Sequence, residues 1–342
     1  MNNETIDVHI HFGAPKDEES GCFWSEEFTK SAAYFAMLLI TNSLFKKVDI
    51  HKVRKHLLKV INKSKYIDKS VVLAFDKVYE EDGTPHPEKT HLYVPNGYIA
   101  NLAKDNSRIL FGASVHPYRK DWEEELDFCL ENGAVLCKWI PSAQMINSEH
   151  PKCIPFYEKL AKHQLPLLYH CGPEYSIPTS DKSYIEYNNP KHLKTALNKG
   201  VTVIIAHCAM PFWGAFDKEY HDDWTEFLKL FEVDEEHGWK LYADLSAVCT
   251  PFRKEYLEKI QGMVDEIPHE RLLYGSDYPI LVFEITLNKS MKFLRWVGFI
   301  LRAMFMRNLL DKNYIVIKEM RFDECIFTNA SKLFEKIIYP SG

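Results

Sequence analysis

The sequence predicts an α/β fold, a (β/α)8 TIM barrel with helical insertions after strand 1 and after strand 8. Three observations carry that expectation. Eight short apolar runs read as strands, and most are followed by a helical stretch. From the second run onward the spacing is mostly about 25 to 45 residues, which suits βα units. Titratable residues fall at the carboxyl ends of five of the eight runs, the face of such a barrel that carries chemistry. Barrels of this kind run past 300 residues as one domain. The 342 residues are therefore read as a single domain, 1–342, with insertions at about 13–65 and 280–322.

The first strand is Thr5-Ile-Asp-Val-His-Ile-His-Phe12, in which Ile6, Val8 and Ile10 alternate with Asp7, His9 and His11. A period of two puts both histidines on one face, half of a metal site on a rigid strand. The segment from Phe12 to Ser31 reads as an acidic, aromatic loop, and Ser31 to Lys63 as more than one helix, interrupted near residues 41–43 and 48–50. Strands follow at 70–75 and 108–115, with a helix over 95–106 between them. Asp121 is the expected N-cap of a helix reaching Asn132, closed by Gly133. The remaining strands are 134–140, 166–170, 201–207, 240–246 and 271–277, separated by helices at 153–164, 189–199, 222–237 and 253–266. His9, His11, Lys138, His170, His207 and Asp277 all fall at strand ends.

Composition excludes several classes of function. The chain is 46% hydrophobic and 26% charged, ordinary for a globular domain. Its formal net charge is −6 and no basic domain stands out, which argues against nucleic acid as a partner. Eight scattered cysteines form no C-x-x-C pair, and no signal peptide is expected before the first strand, so a reducing cytoplasm fits.

Taken together, these stretches resemble the amidohydrolase superfamily, in particular the amidohydrolase-related branch that contains aminocarboxymuconate-semialdehyde-type decarboxylases and dicarboxylate lactonases. The matching runs are Asp7-Val-His-Ile-His11, Gly133-Ala-Val-Leu-Cys-Lys138, Leu165 to Gly172, Ile204-Ile-Ala-His207 and Leu273-Tyr-Gly-Ser-Asp-Tyr-Pro279. Asn329-Ala330 with Leu333-Phe334 resembles the closing helix of that family. The resemblance implies that His9, His11, His170 and Asp277 ligate one divalent ion, most simply Zn2+. It implies that Asp277 also accepts a proton from water on the metal, and that His207 acts as general acid/base or electrostatic stabiliser. Three imidazoles and a carboxylate with one open position make a catalytic rather than a structural zinc-type site.

Lys138 is either a substrate-binding residue or, if carboxylated, a bridge to a second metal. Asp244 and Ser246 end the seventh strand, where Asp244 is placed to hold a ligand histidine from behind. His116, Arg119, Trp139 and Tyr278 lie at or just past strand ends and are candidate substrate contacts, with Arg119 suited to a carboxylate. Cys171 and Cys208 follow proposed ligands and are read as packing. The expected activity is hydrolysis of an ester, lactone or amide of a small carboxylated molecule. The rivals are non-oxidative decarboxylation on the same scaffold and a catalytically silent ligand-binding barrel.

Residues 291–307 form a strongly apolar, basic stretch. Arg295, Arg302 and Arg307 argue against a transmembrane span. A helix packed on the first insertion or on a second subunit, in a homodimer, fits better than one lying on a membrane surface. Deleting 286–311 is expected to cause aggregation or to change oligomer size, and an unchanged monomer by light scattering would contradict that reading.

Overall fold

A computed structural model describes residues 3–41, 43–44, 48–174, 176–179, 181–210, 221–249, 267–280, 299, 301–303, 305–320 and 322–338. Eight strands form one sheet: β1 (Ile6–His11), β2 (Lys69–Leu73), β3 (Ile109–Ala113), β4 (Ala134–Trp139), β5 (Leu167–His170), β6 (Val203–Ala206), β7 (Leu241–Asp244) and β8 (Leu272–Leu273). They pair in sequence order, and every ladder between neighbours is parallel. The last strand returns to the first through Val8 N–H to Tyr274 O at 3.0 Å, Asp277 N–H to His9 O at 2.9 Å and His11 N–H to Tyr278 O at 2.8 Å. These bonds close the sheet into the expected (β/α)8 barrel.

The final strand is shorter than its sequence run. The backbone leaves regular pairing after Leu273, and Asp277 sits at φ 58°, a left-handed conformation uncommon outside glycine. The first strand also departs from strict alternation, because its register against β2 shifts between Asp7 and Ile10. Such a bulge re-aims the side chains that follow it. Ile6 and Val8 join an inner core with Leu136, Leu168, Ile204 and Leu273, whereas Ile10 joins the outer one. Leu136 and Leu168 lie two residues before Lys138 and His170, so they share their face of the sheet. A floor of aliphatic side chains thus lies below the polar strand ends.

The helices between strands pack outside the sheet: α1 (Ala32–Ile40), α2 (Ile50–Asn62), α3 (Asn96–Lys104), α4 (Trp122–Glu131), α5 (Cys153–His163), α6 (Lys194–Asn198) and α7 (His221–His237); α8 (Leu309–Lys318) and α9 (Asn329–Leu333) follow the last strand. The 253–266 helix and most of 291–307 lie outside the described residues. Of the latter stretch, Phe299 and Ala303 are buried, while Leu301 and Phe305 are exposed. Both helices between β1 and β2 are capped, α1 by Ser31 accepting from Tyr34 N–H and α2 by Asp49 accepting from Lys52 N–H. Val53, Leu57, Val60 and Ile61 recur at helical spacing and bury one face of α2. A short antiparallel pair, Phe23–Trp24 with Leu92–Tyr93, ties the loop after β1 to the loop after β2. Asp121 does stand at the N-cap of α4, but its side chain caps nothing and pairs with Arg119 instead.

Ala330 and Phe334, at the closing helix, belong to the inner core. Asn329 Nδ2 donates to His269 O at 2.8 Å and Leu272 O at 2.9 Å, pinning that helix to β8. Asn329→Ala strands two buried carbonyls and is expected to cost about 2 kcal/mol. Urea unfolding measures this, and an unmoved midpoint would mean the closing helix is held by packing alone.

Candidate metal centre and active site

Strand ends β1, β5, β6 and β7 and the loop after β8 meet at one end of the barrel. His9 Nε2 lies 3.1 Å from His11 Nε2 and 3.6 Å from Asp277 Oδ1, and His11 Nε2 lies 3.2 Å from the same oxygen. Ligand atoms of these three residues all fall within 4.8 Å of one another. Close approach is possible because residue 275 is glycine: a Cβ there would stand 3.1 Å from His9 Cβ and 3.0 Å from Ser246 Cβ.

The opposite edge of the His9 ring explains its orientation. His9 Nδ1 is 2.8 Å from Asp244 Oδ2 and 3.1 Å from Ser246 Oγ. The carboxylate keeps a proton on Nδ1 and leaves the Nε2 lone pair directed at His11 and Asp277. A carboxylate behind a ligand imidazole is the usual support of a metal site. Burial, then the Lys138 ammonium, pushes the His9 pKa well below its ordinary value, so the ring is neutral. At 3.1 Å the two Nε2 atoms can share a proton as an N–H···N bond, and with both lone pairs free they and Asp277 Oδ1 face a common point. Two imidazoles and a carboxylate at these distances are a donor set that fits a divalent cation.

His170 and His207 complete the ring of imidazoles. His207 stacks on His9 with centroids 5.0 Å apart and meets His170 edge-on at 5.1 Å. Ser246 Oγ lies 2.7 Å from His207 Nδ1, and His207 N–H donates to Asp244 Oδ1 at 2.9 Å. His207, Cys208 and Ala209 all have positive φ, a strained turn of the kind that collects at functional sites. His9, His207 and Asp244 form a second triplet of candidate ligand atoms within 4.8 Å. His170 stands across the cleft, with its Nε2 3.4 Å from Glu174 Oε2. Glu174 escaped the sequence reading, and its only signal was an acidic residue four positions after a strand-end histidine. Burial raises its carboxyl above the ordinary range.

Lys138 is fully buried, and its Nζ has no hydrogen-bond partner among the described residues. Burial lowers its pKa to about 8, opposed by the carboxylates of Asp244, Asp277 and Glu174. Below the site, Asp7 accepts from His9 N–H and Ser276 N–H, and burial raises its carboxyl to about 7.

A cleft opens on this centre, lined by His11, His170, Glu174, His207 and Asp277. Its other wall is apolar, built in part by Phe28 and Met37 from the segment between β1 and β2, and by Ile177 and Pro279.

The four candidate substrate contacts sit elsewhere and are already engaged. Arg119 is held by Asp76, Asp121 and Glu125 at 2.8–3.2 Å. His116 is buried with Nε2 2.9 Å from Gln144 O, and burial lowers it to about 3. Trp139 donates to Val115 O at 2.8 Å and packs on Phe156 and Tyr157 outside the sheet. The Tyr278 hydroxyl lies 2.7 Å from His56 Nδ1 on α2. Cys171 and Cys208 are buried, the latter with its thiol on Asp244 O at 3.2 Å.

The Lys138 environment has a measurable sign. In the unfolded chain a lysine stays charged to about pH 10.4. Between pH 8 and 10 the unfolded state therefore binds more protons, and stability rises with pH; below 8 the buried charge is a constant cost. In metal-free protein, the unfolding free energy of wild type minus that of Lys138→Met should climb by up to about 1.4 kcal/mol per pH unit across that window. A flat difference by urea titration would show that the folded ammonium titrates normally.

The sequence profile described as Amidohydrolase matches residues 75–294. Among curated proteins, none matches the chain. Among solved structures, a provisionally assigned 2-pyrone-4,6-dicarboxylic acid hydrolase from Pseudomonas putida is 12% identical with a TM-score of 0.55, over 100% of both chains. A 2,6-dihydroxybenzoate decarboxylase solved with 2,6-dihydroxybenzoate is 15% identical with a TM-score of 0.56, covering 97% of this chain and 99% of that one. A dihydroxybenzoic acid decarboxylase from Polaromonas sp. JS666, solved with manganese and 2-nitroresorcinol, is 15% identical with a TM-score of 0.53, over 98% and 97%. At these identities the likeness is one of fold. The profile match covers well over half of the chain, and this protein belongs to the amidohydrolase family of barrel enzymes.

Proposed function

We propose that the chain, acting as one domain, is a metal-dependent hydrolase that opens an ester, lactone or amide bond in a small carboxylated molecule. The observation that carries this reading is the convergence of His9 Nε2, His11 Nε2 and Asp277 Oδ1 on one point at the mouth of the cleft. His9, His11, His170 and Asp277 would hold a single zinc-type ion, with His170 released from Glu174 to do so. A cation there supplies a Lewis acid for the substrate's carbonyl oxygen and makes water acidic near neutral pH.

The chain's own groups do the rest. Asp277 lines the cleft and receives the proton of the attacking water at a carboxylate oxygen. His207, fixed through Nδ1 by Ser246, presents its other edge for the charge that develops on the substrate or for protonating the leaving group. Asp244 holds both His9 and the backbone of His207, and so sets their spacing. Phe28 and Met37 exclude water from that side of the cleft. Lys138, buried and interacting with Asp244, Asp277 and Glu174, would pair with an anionic substrate group, or bridge to a second metal if carboxylated. A substrate role for His116, Arg119, Trp139 or Tyr278 would need its present hydrogen bonds or packing to be exchanged.

Decarboxylation is the second reading, because solved decarboxylases share this barrel and fold does not choose the reaction. The same residues would then protonate carbon instead of accepting a proton from water. We place the enzyme in the cytoplasm as a homodimer. The eight cysteines are unpaired, and no described helix is long and apolar enough to cross a membrane.

Purified protein should carry about one divalent ion per chain, and His9→Ala should lose it. In a screen of lactones, esters, amides and aromatic carboxylates, Asp277→Asn should lower turnover by at least about 100-fold. A new carboxylate without carbon dioxide release supports hydrolysis, whereas stoichiometric carbon dioxide supports decarboxylation. Metal-free wild type with full activity would contradict both.

A further inference from the structure

Asp277 reaches the histidines from an unfavourable backbone position. Its φ is 58°, and the chain on either side has left regular strand pairing. The segment is held on one side by backbone bonds, Asp277 N–H to His9 O and His11 N–H to Tyr278 O. The backbone carbonyl of Asp277 also accepts from Ile280 N–H at 2.8 Å, closing a tight turn. What fixes the other side is the next side chain, Tyr278, which is buried, is not among the residues that line the cleft, and reaches helix α2 through its hydroxyl.

There the Tyr278 hydroxyl meets His56 Nδ1 at 2.7 Å, and the two rings lie nearly parallel, at 12°, with centroids 6.2 Å apart. His56 belongs to the same helix whose Val53, Leu57, Val60 and Ile61 are buried in the core, so its own position is rigidly set. Burial also favours the neutral ring, which leaves Nδ1 as an acceptor for the phenol. The inserted helix thus grips the residue adjacent to the carboxylate by a single directional bond.

We propose that His56 is a positioning residue for the metal centre: by accepting the Tyr278 hydroxyl it holds the Asp277 carboxylate beside His11 and His9. The inference rests on the metal reading above and adds a device contributed by the helical segment between β1 and β2. Partners hydrogen-bonded directly to ligands commonly alter metal affinity by about 10- to 100-fold, and His56, which acts one residue further out, is set at the lower end of that range. His56 touches neither the cleft nor the ligand atoms, so its effect passes through Tyr278.

The test uses Co2+ titration of chelator-stripped full-length protein, read by the visible ligand-field bands, with circular dichroism to confirm folding. Tyr278→Phe removes one oxygen, His56→Leu removes the acceptor, and His56→Asn places an amide oxygen near the position of Nδ1. The expected result is roughly tenfold weaker Co2+ binding and altered bands for Tyr278→Phe and His56→Leu. Their double variant should be no worse than either, and His56→Asn should bind like wild type. If His56→Leu fails to fold, Tyr278→Phe carries the test alone. Wild-type affinity and bands in folded Tyr278→Phe would overturn the proposal and leave the metal reading intact, as would a His56→Asn variant as impaired as His56→Leu. Wild type that binds no Co2+ would overturn the metal reading and this proposal with it.

Discussion

Three backbone hydrogen bonds between the first and last strands hold the site together. Val8, His11 and Asp277 donate across that seam, and Tyr274, Tyr278 and His9 accept. Residues nearly the whole chain apart are thereby placed side by side. The histidine pair enters the site from one edge of the seam and the carboxylate from the other. Parallel pairing in order around the barrel then fixes where β5, β6 and β7 deliver His170, His207 and Asp244. Gly275 lets the seam close, since a side chain at that position would press on His9 and Ser246.

Around this seam the protein has buried more ionisable groups than its interior solvates well. Asp7 and Glu174 are raised, and His9 and Lys138 are lowered, in each case first by burial. Each shift disfavours the charged form. A fold does not keep such a cluster for stability, because apolar replacements of the same volume usually cost less. Clusters of shifted groups at the mouth of a cleft are instead a mark of chemistry. The aliphatic floor of Leu136, Leu168, Ile204 and Leu273 separates this polar layer from the opposite end, where the helix begun by Asn329 closes the barrel.

The strand ends were legible in the sequence because a period of two and the spacing of βα units mark them locally. His9, His11, His207 and Asp277 stand at such ends, and closure of the barrel brings their side chains together. The register shift in β1 was not legible, since Ile6, Val8 and Ile10 alternate regardless of how the strand pairs with its neighbour. Arg119 read as an open anchor because Asp76, which lies 43 residues earlier, and Glu125 become its partners only after folding. Trp139 ends its strand facing the outer helices, a matter of one residue of register. Glu174 and the His56–Tyr278 bond belong to loops and to the segment after β1, where no periodic signal reports contact.

The central claim is that one cation sits among His9, His11, His170 and Asp277. Crystals of the metal-loaded protein, measured on both sides of the zinc absorption edge, test it most directly. The account predicts a single strong anomalous peak bonded to His9, His11 and Asp277, with the His170 ring swung from Glu174 to join them. An empty site under saturating zinc, or a peak held by other residues, would contradict it.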